Sequence, residues 1–316
     1  MPGSSPLSCI LAFALAFAGA DAVLAQEALV TNQPADSLSI VDLAQMKTVA
    51  EIPLSGKPAG IALSPDRATA YVTAPEGRAL IEIDAASHRI KRRLELGGGP
   101  LGIAAHPTRS EVYVADWYTH KIVVVDAGRL AVAAEITVGQ SPSGLAVTPD
   151  GALLLSADRD SDQVSVVDLA MRAPVATIKV GSRPFGITVS DDGARAYTAN
   201  VGSDDVTVID IAKRRLVGSI KVGRRPYAIA LSRGKGFVTD QYGGTVSVFD
   251  AETLAIVKTI DACDHPEGIE QSAADGSVYV ACWGDNELLK IDPVALKVTA
   301  KAEVGDGPRA FGKFLR

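Results

Sequence analysis

From residue 26 onward the chain alternates apolar and polar residues in short runs and nowhere sustains a helical period. A unit opens with Pro-x-Gly and a run such as "AGIALS" (59–64), turns through "SPDR", and runs on through "AYVT". A variable loop follows, then a run such as "LIEID", a few turn residues, and a last run of the type "VATIKV" (175–180). Val, Ile, Thr and Tyr fill these runs, as a pleated and buried surface favours, while Pro, Asp and Gly fix the turns between them. Each unit therefore predicts four antiparallel strands.

The units recur. Prolines stand at Pro58, Pro100, Pro142, Pro184, Pro226, Pro266 and Pro308, spaced by 42, 42, 42, 42, 40 and 42 residues. Asp42, Asp84, Asp126, Asp168, Asp210, Asp250 and Asp292 keep the same steps and close the third strand of each unit. A third series, Leu29, Tyr71, Tyr113, Leu155, Tyr197, Phe237 and Tyr279, lies 29 residues before each proline. The 40-residue step comes from "LSRGKG", a hairpin shortened by two residues. Four strands every forty-odd residues is the mark of a propeller blade.

The ends set the number of blades. After Pro308 only "RAFGKFLR" remains, enough for one strand, whereas "ALVT", "SLSIVD" and "VAEIPL" precede Pro58. Six whole blades and one composite make an all-β, seven-bladed propeller, its last blade closed by three N-terminal strands plus one C-terminal strand. Closure of this kind leaves no open sheet edge at the seam. Residues 26–316 are expected to form this one domain.

"AYVTA", "VYVAD", "AYTAN" and "VYVAC", each followed by a strand ending in Asp and a Gly-x-x-Pro-x-Gly approach, resemble the YVTN β-propeller repeat family. The resemblance covers the chain from residue 26 and implies the fold. It implies no single function, because such propellers include binding modules, lactonase-like enzymes and subunits of periplasmic quinoprotein dehydrogenases.

Residues 1–25 read differently. "MPGSSPLSCILAFALAFAGADAVLA" holds no Lys or Arg, and its apolar run from Ile10 to Ala18 is too short to span a bilayer. Small residues follow, with cleavage expected after Ala25 or after Ala20, so the segment is expected to be a signal peptide and the protein periplasmic. No membrane span remains beyond it. The rest of the chain carries 31 basic against 36 acidic residues, a mild excess that gives no reason to bind nucleic acid. A monomer is expected.

In a four-stranded blade, the loop into each proline and the loop between the second and third strands share one face. These loops vary between units while the opposite turns are near-copies, which points to this face for function. Both tryptophans, Trp117 and Trp283, fall here with Tyr118 and Tyr242; beside the prolines stand Phe185, Tyr227, Glu267 and Arg309, preceded by Lys57, Arg183, Arg225 and His265. The candidate surface for a partner protein or small ligand is Trp117, Arg159, Arg183, Phe185, Arg225, Tyr227, His265, Trp283 and Arg309, since polar-tipped aromatics and arginines are what interfaces use. The competing role for the aromatics is to cover the ends of the blade cores. Arg159, Arg183, Arg224 and Arg225 gather on one side and Asp264, Glu267, Asp285 and Asp306 on an opposite arc, so an anionic group is expected on the arginine side.

One proline loop, "DACDHPEGIE" (261–270), departs from siblings such as "KVGSRPFGIT". Cys263 lies in the loop entering the sixth full blade and Cys282 in the loop between its second and third strands, so an exported protein is expected to join them in a disulfide. The rivals are a zinc or copper site of Cys263, His265 and Cys282 with Asp264 or Glu267, and two free thiols. "GGGPLG" leads into a strand and is no dinucleotide loop. "DRDSD" spaces three aspartates as a calcium loop would, but Gln163 replaces the turn glycine. The regular strand-end aspartates are expected to accept turn hydrogen bonds. His88 and His106 are expected exposed, in turns of the opposite face. No nucleophile elbow, zinc-protease, haem-attachment or Walker motif occurs, and no cofactor or metal is called for. The residues favour a binding or scaffold module over an enzyme or enzyme subunit.

Overall fold

The computed structural model describes residues 26–316; the signal segment expected over 1–25 lies outside them. Seven sheets ring a central channel. In full blade three, the strands are Pro142–Val147, Leu153–Asp158, Gln163–Asp168 and Ala173–Lys179, antiparallel in that order, and the other full blades repeat the plan. First strands touch one another in cyclic order around the channel. Fourth strands alternate half-buried and exposed residues and form the outer rim.

The repeated residues each hold one junction. At every third-strand end the aspartate accepts turn N–H groups, as Asp42 does from Ala44 at 2.8 Å and Gln45 at 2.9 Å, and Asp292 from Val294 and Ala295. The large residue of the second strand faces a small one on the first, Tyr71 against Ala62 and Tyr113 against Ala104, and so fills the space between blades. The apolar clusters accordingly straddle neighbours: Tyr113, Ile122 and Val124 of full blade two pack with Leu154, Val167 and Leu169 of full blade three. Burying such side chains contributes about 1.5–3 kcal/mol each.

The composite blade closes the ring. Glu27–Asn32, Ser37–Asp42 and Lys47–Pro53 pair in order, and the chain's last residues lie along the first of them. Pro308 bridges Asn32, Leu315 bridges Ala28, and the Leu29 N–H donates to the Phe314 carbonyl at 2.9 Å. On its other side Phe311–Gly312 pairs in parallel with Gly60 and Ile61 of full blade one. The buried Glu270 carboxylate accepts the N–H groups of Phe314 and Leu315, and Arg316 pairs with Glu27 at 2.9 Å. Among the described residues no helix is long and apolar enough to cross a membrane.

His106 is not exposed. It is buried, with Nε2 3.1 Å from the Gly151 carbonyl of the next blade and Nδ1 accepting the N–H groups of Thr108 and Arg109, and burial holds its pKa below the ordinary value. It ties two blades together on the face opposite the variable loops.

Candidate functional site

The innermost strands set the geometry of the variable face. After each proline comes a residue at the channel: Ala59, Leu101, Ser143, Phe185, Tyr227, Glu267 and Arg309. The position that follows must be small, because a Cβ at Gly102 would lie 1.6 Å from the Ser143 carbonyl oxygen and one at Gly186 2.4 Å from that of Tyr227. Close backbone approach thus fixes the ring while leaving the side chains before it free to differ. They run from small through aromatic to a facing acid and base.

The residue before each proline is held too. Lys57, Ser141, Arg183, Arg225 and His265 all have φ between 52° and 59°. The N–H groups of Arg183 and Arg225 each donate at 2.7 Å to an aspartate 21 residues back, Asp162 and Asp204, which offsets the cost of the left-handed backbone. Because the device recurs around the ring it belongs to the scaffold, and it aims the two arginines.

Six of the nine candidates line one cavity of about 350 Å³ at the channel mouth: Trp117, Arg159, Phe185, Arg225, Tyr227 and Arg309. Phe185 stands 4.6 Å from Tyr227 and 6.2 Å from Trp117 between ring centroids, and Phe311 at 5.1 Å completes an aromatic floor. Below it lies a second cavity of about 250 Å³, walled by first-strand residues such as Ile103, Leu145 and Ile229 and by Phe311. Tyr118, 72% exposed, lies across Gly99, where a Cβ would come within 2.5 Å of its ring. That contact explains the glycine the sequence shows there.

The three guanidinium groups of the cavity differ in charge balance. Arg159 pairs with Asp160 at 2.7 Å and lies 5.4 Å over the Trp117 ring. Arg309 contacts the buried Glu267 carboxylate at 2.9 Å, and Gln241 donates to the same carboxylate at 2.6 Å. Burial pushes the Glu267 carboxyl up against the pull of Arg309, and it pushes the Tyr227 hydroxyl up as well. Arg225 instead donates to the neutral Gln241 amide oxygen at 2.8 Å and lies 4.7 Å over the Tyr242 ring; among the described residues it has no carboxylate partner. So Glu267 does not belong to an opposite acidic arc. It sits beside the arginines, joined to Arg225 through Gln241.

Arg183, His265 and Trp283 lie outside this cavity. Arg183 is exposed. His265 bonds Asp264 at 2.6 Å and meets Tyr242 and Trp283 edge-on at 5.4 and 6.1 Å, forming a neighbouring rim patch. Next to it Cys263 and Cys282 are joined in a disulfide with Cα atoms 5.9 Å apart, which removes both thiols from any metal site. Among the described residues no cluster of His, Cys, Asp and Glu is placed to hold a metal ion. The Asp158 carboxylate of "DRDSD" turns inward to Ser156, Ser165 and the Gly139 N–H rather than toward a loop ligand. Sequence reasoning missed Gln33 and Gln241, polar residues in variable loops with no motif, and Phe311, which replaces the Ile or Leu of its siblings.

The model of the YNCE-like β-propeller family matches residues 12–109 and 106–314. The chain belongs to this family. No curated protein sequence matches it. Among solved structures, the YNCE-like chain is similar to Kuenenia stuttgartiensis hydrazine synthase, with TM-score 0.73 at 20% identity over 81% of this chain and 89% of that one. A functionally unknown protein from Desulfotomaculum acetoxidans DSM 771 gives 0.78 at 17% identity, covering 90% and 99%. Dihydro-heme d1 dehydrogenase NirN, solved in complex with DHE, gives 0.68 at 18% identity, covering 87% of this chain and 63% of that one. At these identities the likeness is one of fold.

Proposed function

We propose that this protein is a periplasmic binding module, a propeller with YVTN-type repeats, that holds a small anionic ligand in the cavity of its variable face. The observation that carries the reading is Arg225, a half-buried guanidinium without a carboxylate partner, beside an aromatic floor in a concave site. Concave sites with mostly apolar walls and a few convergent polar groups are where small ligands bind. The disulfide beside the site fits an oxidising compartment. The test is a thermal-shift screen of small organic acids on the wild type and on Arg225→Ala. A stabilising acid should lose about tenfold or more in affinity in the variant, the cost of a lost charge-assisted hydrogen bond. No acid stabilising the wild type, or equal stabilisation of both, would refute it.

A second reading is an enzyme or enzyme subunit, lactonase-like, lyase-like or serving a periplasmic quinoprotein system. Glu267 favours it: a carboxyl raised by burial beside the Tyr227 hydroxyl, just behind the Gln241 and Arg309 side chains that line the cavity, is a pairing that proton-transfer chemistry uses. Hydrazine synthase and NirN contain propellers of this shape, which keeps that reading in view. Turnover of a bound acid, abolished by Glu267→Gln without loss of binding, would establish it.

A further inference from the structure

Resting on the anion-site reading, we infer that the ligand class is a planar aromatic monocarboxylate. Its ring seats among Trp117, Phe185 and Tyr227, and its carboxylate is received by Arg225.

Charge balance fixes the ligand's charge. The cavity presents three guanidinium groups, but Asp160 neutralises Arg159 and Glu267 neutralises Arg309. One cation, Arg225, is left over. Its fork is turned by Gln241 on one edge and flattened against Tyr242 on one face, so it is already oriented and loses little freedom when an acid binds. A second negative charge on the ligand would find no further unpaired cation among the side chains that line the cavity.

Ring geometry fixes the ligand's shape. Trp117 and Phe185 lie 6.2 Å apart at an interplanar angle of 59°, and Phe185 and Tyr227 4.6 Å apart at 44°. None of these pairs is stacked face to face; Trp117 and Phe185, only half-buried, offer ring surface to a guest, and tilted aromatic contacts are favourable beyond the area they bury. The cavity of about 350 Å³ is at the small end for ligand sites, which suits one or two fused rings.

The experiment compares benzoate with cyclohexanecarboxylate, equal in charge and close in size, by calorimetry on the chain from Gln26 to Arg316. A fluorescence titration repeats the comparison on Trp283→Phe, in which Trp117 is the one tryptophan left. Benzoate should bind about 2- to 12-fold more tightly and quench Trp117, the range that aromatic pairing supports. Phe185→Leu, or Trp117→Leu read by calorimetry, should bring the ratio to near unity. Phthalate, a dianion, should bind no more tightly than benzoate. Equal affinity for the two monoacids overturns the aromatic class and leaves the anion site standing; tighter binding of phthalate overturns the charge assignment. If neither monoacid binds at millimolar concentration this inference fails, and the anion-site reading fails with it when no acid of the thermal-shift screen stabilises the wild type.

Discussion

Breaking the Cys263–Cys282 bond tests how the repeat was modified. In most blades the residue at position 282 is Asp or Asn, bonded to a Ser or Thr seven residues on: Asn32 to Ser39 at 2.8 Å, Asn200 to Thr207 at 2.9 Å, Asp240 to Ser247 at 2.7 Å. A glycine occupies the position of Cys263, and the Gly139 N–H donates to Asp158 at 3.0 Å. In full blade six Leu289 replaces the hydroxyl residue, and the disulfide replaces the whole hydrogen-bonded contact. With the cysteines 19 residues apart, closing that loop in the unfolded chain stabilises the protein by about 3 kcal/mol on the chain-entropy model. Cys263→Ser/Cys282→Ser should therefore lower the melting temperature by roughly 6 °C for a chain of this size, and reductant should do the same to the wild type but not to the variant. Cys263→Gly/Cys282→Asn/Leu289→Ser restores the sibling contact and should recover about 1 kcal/mol of the loss. Calorimetric melts with and without reductant give the answer. A double-serine variant that melts within about 1 °C of the oxidised protein would show that the bond constrains nothing.

Other expectations follow from single contacts. Burial raises the Asp240 carboxyl to about 6 from an ordinary 3.8, so the folded state holds its proton longer and stability falls as pH rises through that window; Asp240→Asn should gain up to about 3 kcal/mol at pH 7 and nothing at pH 3 in urea titrations. A variant no more stable than wild type at neutral pH refutes this. Gly102→Ala drives a Cβ into the Ser143 carbonyl and should cost about 3 kcal/mol, whereas Ala228→Gly at the equivalent position should cost under about 1 kcal/mol by denaturant unfolding. Glu270→Ala frees the N–H groups of Phe314 and Leu315; faster hydrogen exchange at those two amides than elsewhere in the ring is the expected result, and uniform exchange contradicts it. Glu267→Gln alone leaves Arg309 buried against a neutral partner and should cost about 3 kcal/mol, more than Glu267→Gln with Arg309→Gln; a double variant less stable than the single one would mean the pair is not coupled.

Much of this molecule was legible because repetition converts local chemistry into global geometry. The prolines and strand-end aspartates gave the seven sheets and the strand borrowed from the C-terminus, and a pair of cysteines in two loops of one blade gave the disulfide. Of the residues beside the prolines, Phe185, Arg225, Tyr227 and Arg309 line one cavity, because a ring of first strands brings their blades to one mouth. What escaped was contact between blades. Nothing in "AAHPTR" says that His106 is buried under Gly151 of the next sheet, and nothing in "DQYGG" says that Gln241 reaches both Arg225 and Glu267. The loops foretell which residues face a rim but not which of them pair across it, because side-chain pairing depends on distances between units that no repeat encodes. Arg183, predicted with Arg225 from the same loop position, stands outside the cavity for that reason.

The position before the conserved small residue shows why function concentrates there. Its backbone is packed against the next blade around most of the ring, with the Thr73 hydroxyl donating to the Leu101 carbonyl at 2.6 Å and that of Thr239 to the Glu267 carbonyl at 2.7 Å. The carbonyl is therefore committed to the scaffold, while the side chain differs from blade to blade, Ser143 donating to the Ala157 and Phe185 carbonyls and Phe185 lining the cavity. A change from Ser143 to Phe185 or from Tyr227 to Glu267 alters the mouth without altering the fold. The convergence of aromatic rings, a compensated ion pair and one uncompensated arginine on a single arc is a departure from symmetry that the repeat neither requires nor explains. That departure is the physical ground for placing the ligand there, and it predicts that exchanging Phe185 or Arg225 for the residues of the bare arc will change binding far more than stability.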